Sequence, residues 1–295
     1  MGYYLLYGFC RLLALIPLCV LFGISDLVLY PLIYYVVGYR KKVVRRNISA
    51  SFPEKTDKER RAIERGFYHQ FCDYMVESLK LLHYSEKQMK KHVVFKGVEK
   101  VHEHYEKGMT GFMFLGHYAN WEWFSSLAMH IPKTRFPIIY RPLNNKAFDR
   151  LFITLRSQFK GFTISKNEVL RYVIQNKKEG VPFLVASLAD QTPSKNNIHY
   201  YTTFLNQDTP VFTGTERMAK KVDAAVFYLD VIKIKRGYYE GHLELITDTP
   251  NDLAEFEITE LYMRKMEQTI LRNPALYLWT HKRWKHSRDQ INIDA

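Results

Sequence analysis

A chain of 295 residues with 47% hydrophobic and 15% aromatic side chains, including 21 Tyr and 19 Phe, has the apolar area to offset chain entropy, which excludes a disordered chain. Lysine and arginine number 43 against 30 aspartates and glutamates, and this formal net charge of +13 suits an anionic partner: nucleic acid, an acidic membrane or an acidic carrier protein. Three cysteines (Cys10, Cys19 and Cys72) without metal-ligand spacing argue against a disulfide framework and fit a reducing compartment.

Residues 1–39 are almost wholly apolar or aromatic, with only Arg11 and Asp26 charged. Neither a basic leader nor a small-residue cleavage site marks a cleaved signal peptide. The uncharged runs 12–25 and 27–39 are each shorter than the ~20 residues that cross a bilayer. Two membrane arrangements fit. Residues 3–24 form one span, with Arg11 snorkelling and Pro17 tolerated, or two short helices dip into one leaflet as a hairpin. A soluble core hairpin is the third reading. In either membrane case the basic cluster Arg40, Lys41, Lys42, Arg45 and Arg46 lies on the cytoplasmic side.

Thr56-Asp57-Lys58-Glu59 spells a capping box, and apolar residues at helical spacing (Ile63, Phe67, Phe71, Met75, Leu79, Leu82) carry that helix to about Leu82. A second capping pattern at Ser85 opens a short basic helix. From about Val93, β-prone runs at 111–115, 135–140, 181–188, 224–233 and 241–247 alternate with helical stretches near 97–107, 119–130, 146–160, 166–178, 213–222 and 253–272. Strands alternating with helices predict an α/β fold, a mixed central sheet flanked by helices, behind the N-terminal helical segment. Several runs are continuously apolar, as strands buried on both faces require. Without repeats or a linker, the simplest parse is an anchor over 1–39 and one catalytic domain over 40–295.

The segment that carries chemistry is Gly116-His117-Tyr118-Ala119-Asn120-Trp121-Glu122. An apolar strand ends at Gly116, so His117 sits at a strand-to-helix turn on the carboxyl edge of the sheet, where open α/β folds place ligands. Within one regular helix, His117 and Glu122 would stand about 140° apart and could not meet. If His117 precedes the helix, its imidazole folds back onto Glu122, which fixes the tautomer and leaves the other ring nitrogen as a base. The H-E-x-x-H zinc spacing is absent and no third ligand is evident, so no metal is expected.

These residues also carry a resemblance. The chain is similar to the lipid A late acyltransferase family, the lauroyl/myristoyl transferases of the lysophospholipid acyltransferase superfamily. Five blocks support it, in order along nearly the whole chain: Arg45-Arg46-Asn47 with Ser51-Phe52-Pro53-Glu54; the H-x4-E segment; Tyr140-Arg141-Pro142 with Asn145, Asp149 and Arg156; Ala189-Asp190-Gln191; and Trp279-Thr280-His281-Lys282-Arg283-Trp284-Lys285. It departs from the family at Asn145-Lys146, where the family has Asn-Pro, and in the loop after Asp190, which shapes an acyl or acceptor pocket.

The resemblance implies transfer of an acyl chain from acyl carrier protein to a hydroxyl of a lipid A precursor, at the cytoplasmic face of the bacterial inner membrane, without a cofactor. It also implies His117 as base and Glu122 as its orienting acid. Arg141, Asn145, Arg156 and Asp190 become candidates for substrate binding, with Asp149 as the alternative partner of the two arginines. Trp121, Trp123 and Phe124 line an acyl slot or belong to the core, and His281, Lys282, Arg283 and Lys285 face head groups or the carrier. Rival readings are another lipid acceptor, such as a lysophospholipid or aminolipid, and a non-catalytic membrane-surface binding protein. No nucleic-acid motif accompanies the basic residues.

Overall fold

The computed structural model describes residues 2–286 and 288. Helix α1 (Gly2–Leu15) ends at Ile16-Pro17, and α2 (Leu18–Ile24) continues through two π-helical turns, Ser25–Leu29 and Leu32–Val36, as one rod. The expected single span over 3–24 is therefore broken at Pro17, whose ring cannot continue the i→i−4 ladder. By length and composition alone, Leu18–Val36 is the one helix among the described residues able to cross a membrane.

Helix α3 (Lys41–Ser51) and the long α4 (Asp57–Leu79) follow. The capping box at the start of α4 forms as the sequence predicts: the Thr56 side chain accepts from the Glu59 amide, and the Glu59 carboxylate accepts from the Thr56 amide at 2.8 Å. Ser85 and Gln88 repeat the device at α5 (Glu86–His92). Then come β1 (Val93–Lys96), α6 (Val98–Glu106), β2 (Gly111–Leu115), β3 (Pro137–Tyr140), α7 (Lys146–Arg156), β4 (Phe162–Ser165), α8 (Val169–Lys178) and β5 (Leu184–Leu188). A hairpin of β6 (Tyr201–Phe204) and β7 (Gln207–Pro210) precedes α9 (Gly214–Val222), β8 (Ala225–Lys235), β9 (Tyr238–Thr247) and α10 (Glu257–Arg272).

Seven strands form one sheet in the order β1-β9-β8-β2-β5-β3-β4, and β6 and β7 pair separately. Strands β8, β2, β5, β3 and β4 are mutually parallel; β9 turns back antiparallel on β8, and β1 runs parallel to β9. The expected mixed, helix-flanked sheet is thus realised. Its centre is β2, in which all five residues are buried, as a strand covered on both faces demands. The turn from β1 into α6 requires glycine: Gly97 has φ +77°, and a Cβ there would meet the Leu243 carbonyl oxygen at 2.3 Å.

The Arg45-Arg46-Asn47 block finds its purpose in packing. Asn47 is buried on α3, and its side-chain amide donates to the carbonyls of Trp279 at 2.9 Å and His281 at 2.8 Å, tying the C-terminal block to the helical layer. Arg45 pairs with buried Glu64 at 2.9 Å. Asn47→Ala strands two carbonyls in the interior and is expected to cost about 2 kcal/mol, read as a lowered denaturant midpoint of the purified protein.

Candidate active site

Parallel register places the two central groups of the site. Leu115 of β2 lies opposite Leu188 of β5, so the residues two steps beyond, His117 and Asp190, leave the same sheet edge side by side. His117 Nδ1 lies 2.7 Å from Asp190 Oδ1, and the His117 backbone amide donates to Oδ2 at 3.1 Å. Asp190 therefore holds the residue at two points. Its side chain is 1% exposed against 18% for His117, so the acid is sealed while the imidazole keeps an open side. Burial pushes the Asp190 carboxyl up, but the charge and hydrogen bonds of His117 outweigh it and hold it below the ordinary carboxylate range. With Nδ1–H donated to Asp190, the lone pair sits on Nε2, which lies 3.2 Å from the Gln191 amide nitrogen.

The turn itself is not the expected helix. Ala119 takes a left-handed φ of 54°, and its amide donates to the Leu276 carbonyl at 2.8 Å. The Leu278 amide donates to the His117 carbonyl at 3.1 Å, and Gly116 meets Met266, whose methyl would lie 2.2 Å from an added Cβ. Residues Trp123–Met129 then form a 3-10 helix, in which the Ser125 and Ser126 hydroxyls bond the carbonyls of Glu122 and Trp123. Such local side-chain bonds compete with α-helical geometry.

The expected His117–Glu122 pair is not made. Both Glu122 oxygens are taken by Arg156, through Nε at 2.8 Å and Nη2 at 2.7 Å, a bidentate pair across 34 residues, and Tyr74 donates its hydroxyl to Oε1 at 3.4 Å. Glu122 is 2% exposed, and the guanidinium fork of Arg156 matches its two oxygens. The link back to His117 is aromatic. Trp121 stands edge-on to the imidazole with centroids 5.2 Å apart and stacks on Tyr74 at 4.1 Å.

The remaining predicted residues separate. Arg141 follows β3 on the same sheet edge, exposed, with no hydrogen-bond or ion-pair partner among the described residues. Asn145 is the N-cap of α7 and accepts from the amides of Ala147 and Phe148. Asp149 accepts from the Leu143 amide at 2.8 Å and closes that loop; it acts on Arg156 only through its charge, without an ion-pair contact among the described residues. Trp123 and Phe124 are core.

In the C-terminal block, Arg283 is 1% exposed and donates to the Pro210 carbonyl at 2.7 Å, so it cannot face a head group. His281 is drawn inward as well. Burial depresses its pKa to about 4, and its Nε2 accepts from the Thr192 amide at 3.2 Å, fixing the loop just after Asp190 and Gln191.

One group that sequence reading passed over sits behind the turn. Glu77 of α4, fully buried, accepts from Asn120 Nδ2 at 2.8 Å and from the Tyr239 hydroxyl at 2.9 Å, while its carbonyl accepts from Trp123 Nε1 at 2.8 Å. It is one of three buried acids on α4, with Glu64 and Asp73, and the sequence alone does not set it apart.

The family model for bacterial lipid A biosynthesis acyltransferases matches residues 1–286. Over 254 residues, 83% of this chain and 79% of the relative, the sequence is 23% identical to a lipid A biosynthesis palmitoleoyltransferase of Escherichia coli (strain K12). A lipid A biosynthesis acyltransferase of Shigella flexneri matches with the same identity over the same 254 residues.

Burial raises the Glu77 pKa to about 7. A folded pKa above the unfolded value means full stability at low pH and loss as pH rises through about 7, by about 3 kcal/mol in all. Glu77→Gln keeps an acceptor for Asn120 and is expected to flatten the fall in stability between about pH 4.5 and 7, measured by denaturant unfolding across that range.

Proposed function

Because the chain belongs to the bacterial lipid A biosynthesis acyltransferase family, we propose that it moves a fatty acyl chain from an acyl-carrier thioester to a hydroxyl of a lipid A precursor, at the cytoplasmic face of the bacterial inner membrane, with His117 as general base. The observation that carries the reading is the His117–Asp190 pair, buried on the acid's side and open on the base's side.

Neutral His117 donates Nδ1–H to Asp190 and presents the Nε2 lone pair. The acceptor hydroxyl displaces the Gln191 amide from Nε2 and gives up its proton as its oxygen attacks the thioester carbonyl. The tetrahedral intermediate then collapses: the carbon–sulfur bond breaks, the ester remains, and the imidazolium returns the proton to the departing thiolate. Asp190 stabilises the imidazolium between those two transfers. Direct transfer suits this geometry, because no serine or cysteine contacts the imidazole among the described residues.

Glu122 and Arg156 serve as a pair that fixes Trp121 against the imidazole, and Asn145 acts by starting α7. Arg141, exposed on the catalytic edge and unpaired among the described residues, is the anchor for an acceptor phosphate.

The test is incubation with tetraacylated precursor and a panel of acyl carrier thioesters, read by mass spectrometry. His117→Ala is expected to fold normally and to lose transfer by at least ~100-fold; undiminished transfer would sink the reading. Arg141→Ala is expected to raise KM for the phosphorylated acceptor with kcat kept. Glu122→Ala leaves Arg156 without its acid and is expected to lose about 3 kcal/mol of stability, a loss that His117→Ala does not share.

A further inference from the structure

Helix α1 and the rod over 18–36, on either side of the Pro17 break, are both strapped to the catalytic domain. Each has its own buried residues: Cys10 and Ala14 on α1, and Leu21, Ser25, Tyr30 and Tyr34 on the rod. The Tyr3 hydroxyl bonds Thr154 of α7 at 3.0 Å. At the Pro17 break, the buried Lys80 ammonium donates to the carbonyls of Ala14 at 2.6 Å and Ile16 at 2.9 Å. Halfway along the apolar 18–36 segment, Asp26 takes two bonds from Arg236, at 2.7 and 2.8 Å, and Ser25 donates to Asp73 of α4 at 2.8 Å. Arg236 sits at the β8–β9 turn and also grips Asp73. Tyr30 stacks on His69 with centroids 3.7 Å apart.

The remaining surface of both segments is largely bare and apolar. Of the 22 exposed large hydrophobics among the described residues, 13 lie between Tyr4 and Tyr39, with Leu5, Leu12, Leu27, Tyr35 and Val36 each more than half exposed. This concentration is a face, well beyond ordinary scatter.

We infer that neither α1 nor the 18–36 rod crosses the bilayer; both lie in its plane, with their bare surfaces sunk into one leaflet and their strapped surfaces carrying the catalytic domain. Nineteen residues of helix would reach across the hydrocarbon. A crossing helix, however, must be clad in lipid all round. Here the middle of the segment holds Asp26 in an ion triad with Arg236 and Asp73, and crossing would drag that triad and the flank of α4 into hydrocarbon. Lying flat leaves every strap intact and buries only the apolar side.

Charge fits the same occupant, an anionic lipid surface. Arg11 lies on α1, and Arg40 and Lys42, both exposed, follow the end of the rod. The inference rests on the reading that the acceptor is a bilayer lipid, but its test does not use activity.

In the full-length protein, Cys19→Ser removes the exposed thiol and leaves the buried Cys10 and Cys72. Nitroxide labels at single cysteines replacing Leu12, Val20, Leu27 and Val36 are then read for depth by oxygen and nickel-chelate accessibility, in vesicles of phosphatidylethanolamine and phosphatidylglycerol. The expected result is four depths within about 5 Å of one another, roughly 5–10 Å below the head groups. Leu27 at the bilayer centre, with Val20 and Val36 each about 10 Å nearer opposite surfaces, would overturn the inference. So would four labels open to the water-soluble chelate. Acyl transfer measured on the same labelled samples separates failure of the topology from failure of the proposed reaction.

Discussion

The register between β2 and β5 is the constraint on which the site depends. Two parallel neighbours leave the sheet at one level, and that common level brings His117 within 2.7 Å of an acid 73 residues away. A shift of one residue would turn alternate side chains to the other face of the sheet and separate the pair. The buried strands of the core therefore fix the distance at the edge. The turn after β2 is pinned from the other side by backbone bonds to Leu276 and Leu278, and from below by Asn120 on Glu77.

Much of the fold was legible in the sequence. The two capping boxes, the buried β2 run and the alternation of strands and helices all register as local patterns, and the structure repeats them. The short strands β1 and β4 were not legible. Val93–Lys96 owes its place to pairing with β9, far along the chain, and carries too few residues for a period. The helix expected over 119–130 failed for a related reason: the left-handed Ala119 is imposed by Leu276, which no local window contains.

At the candidate site, sequence singled out residues that the fold gathers at one sheet edge, but not all of their partners. His117 and Glu122 stand five apart and invite pairing, whereas each is claimed from a distance, by Asp190 and by Arg156. Spacing reports neighbours along the chain, and both of these contacts are made across the sheet edge. The basic C-terminal block misled in the same way. Its composition suggested a surface, yet Arg283 is interior and His281 is a neutral brace for the loop that carries Gln191.

The bond between Tyr3 and Thr154 has a consequence for the proposed reaction. Thr154 lies on α7 two residues before Arg156, and Arg156 grips Glu122 beside the Trp121 that touches the imidazole. The N-terminal helix and the His117 imidazole are thus joined through a chain of side-chain contacts. If the proposed reaction and the in-plane placement both hold, the height of Nε2 above the leaflet would be a fixed length, and the acceptor oxygen would be chosen by stand-off, as a depth gauge chooses.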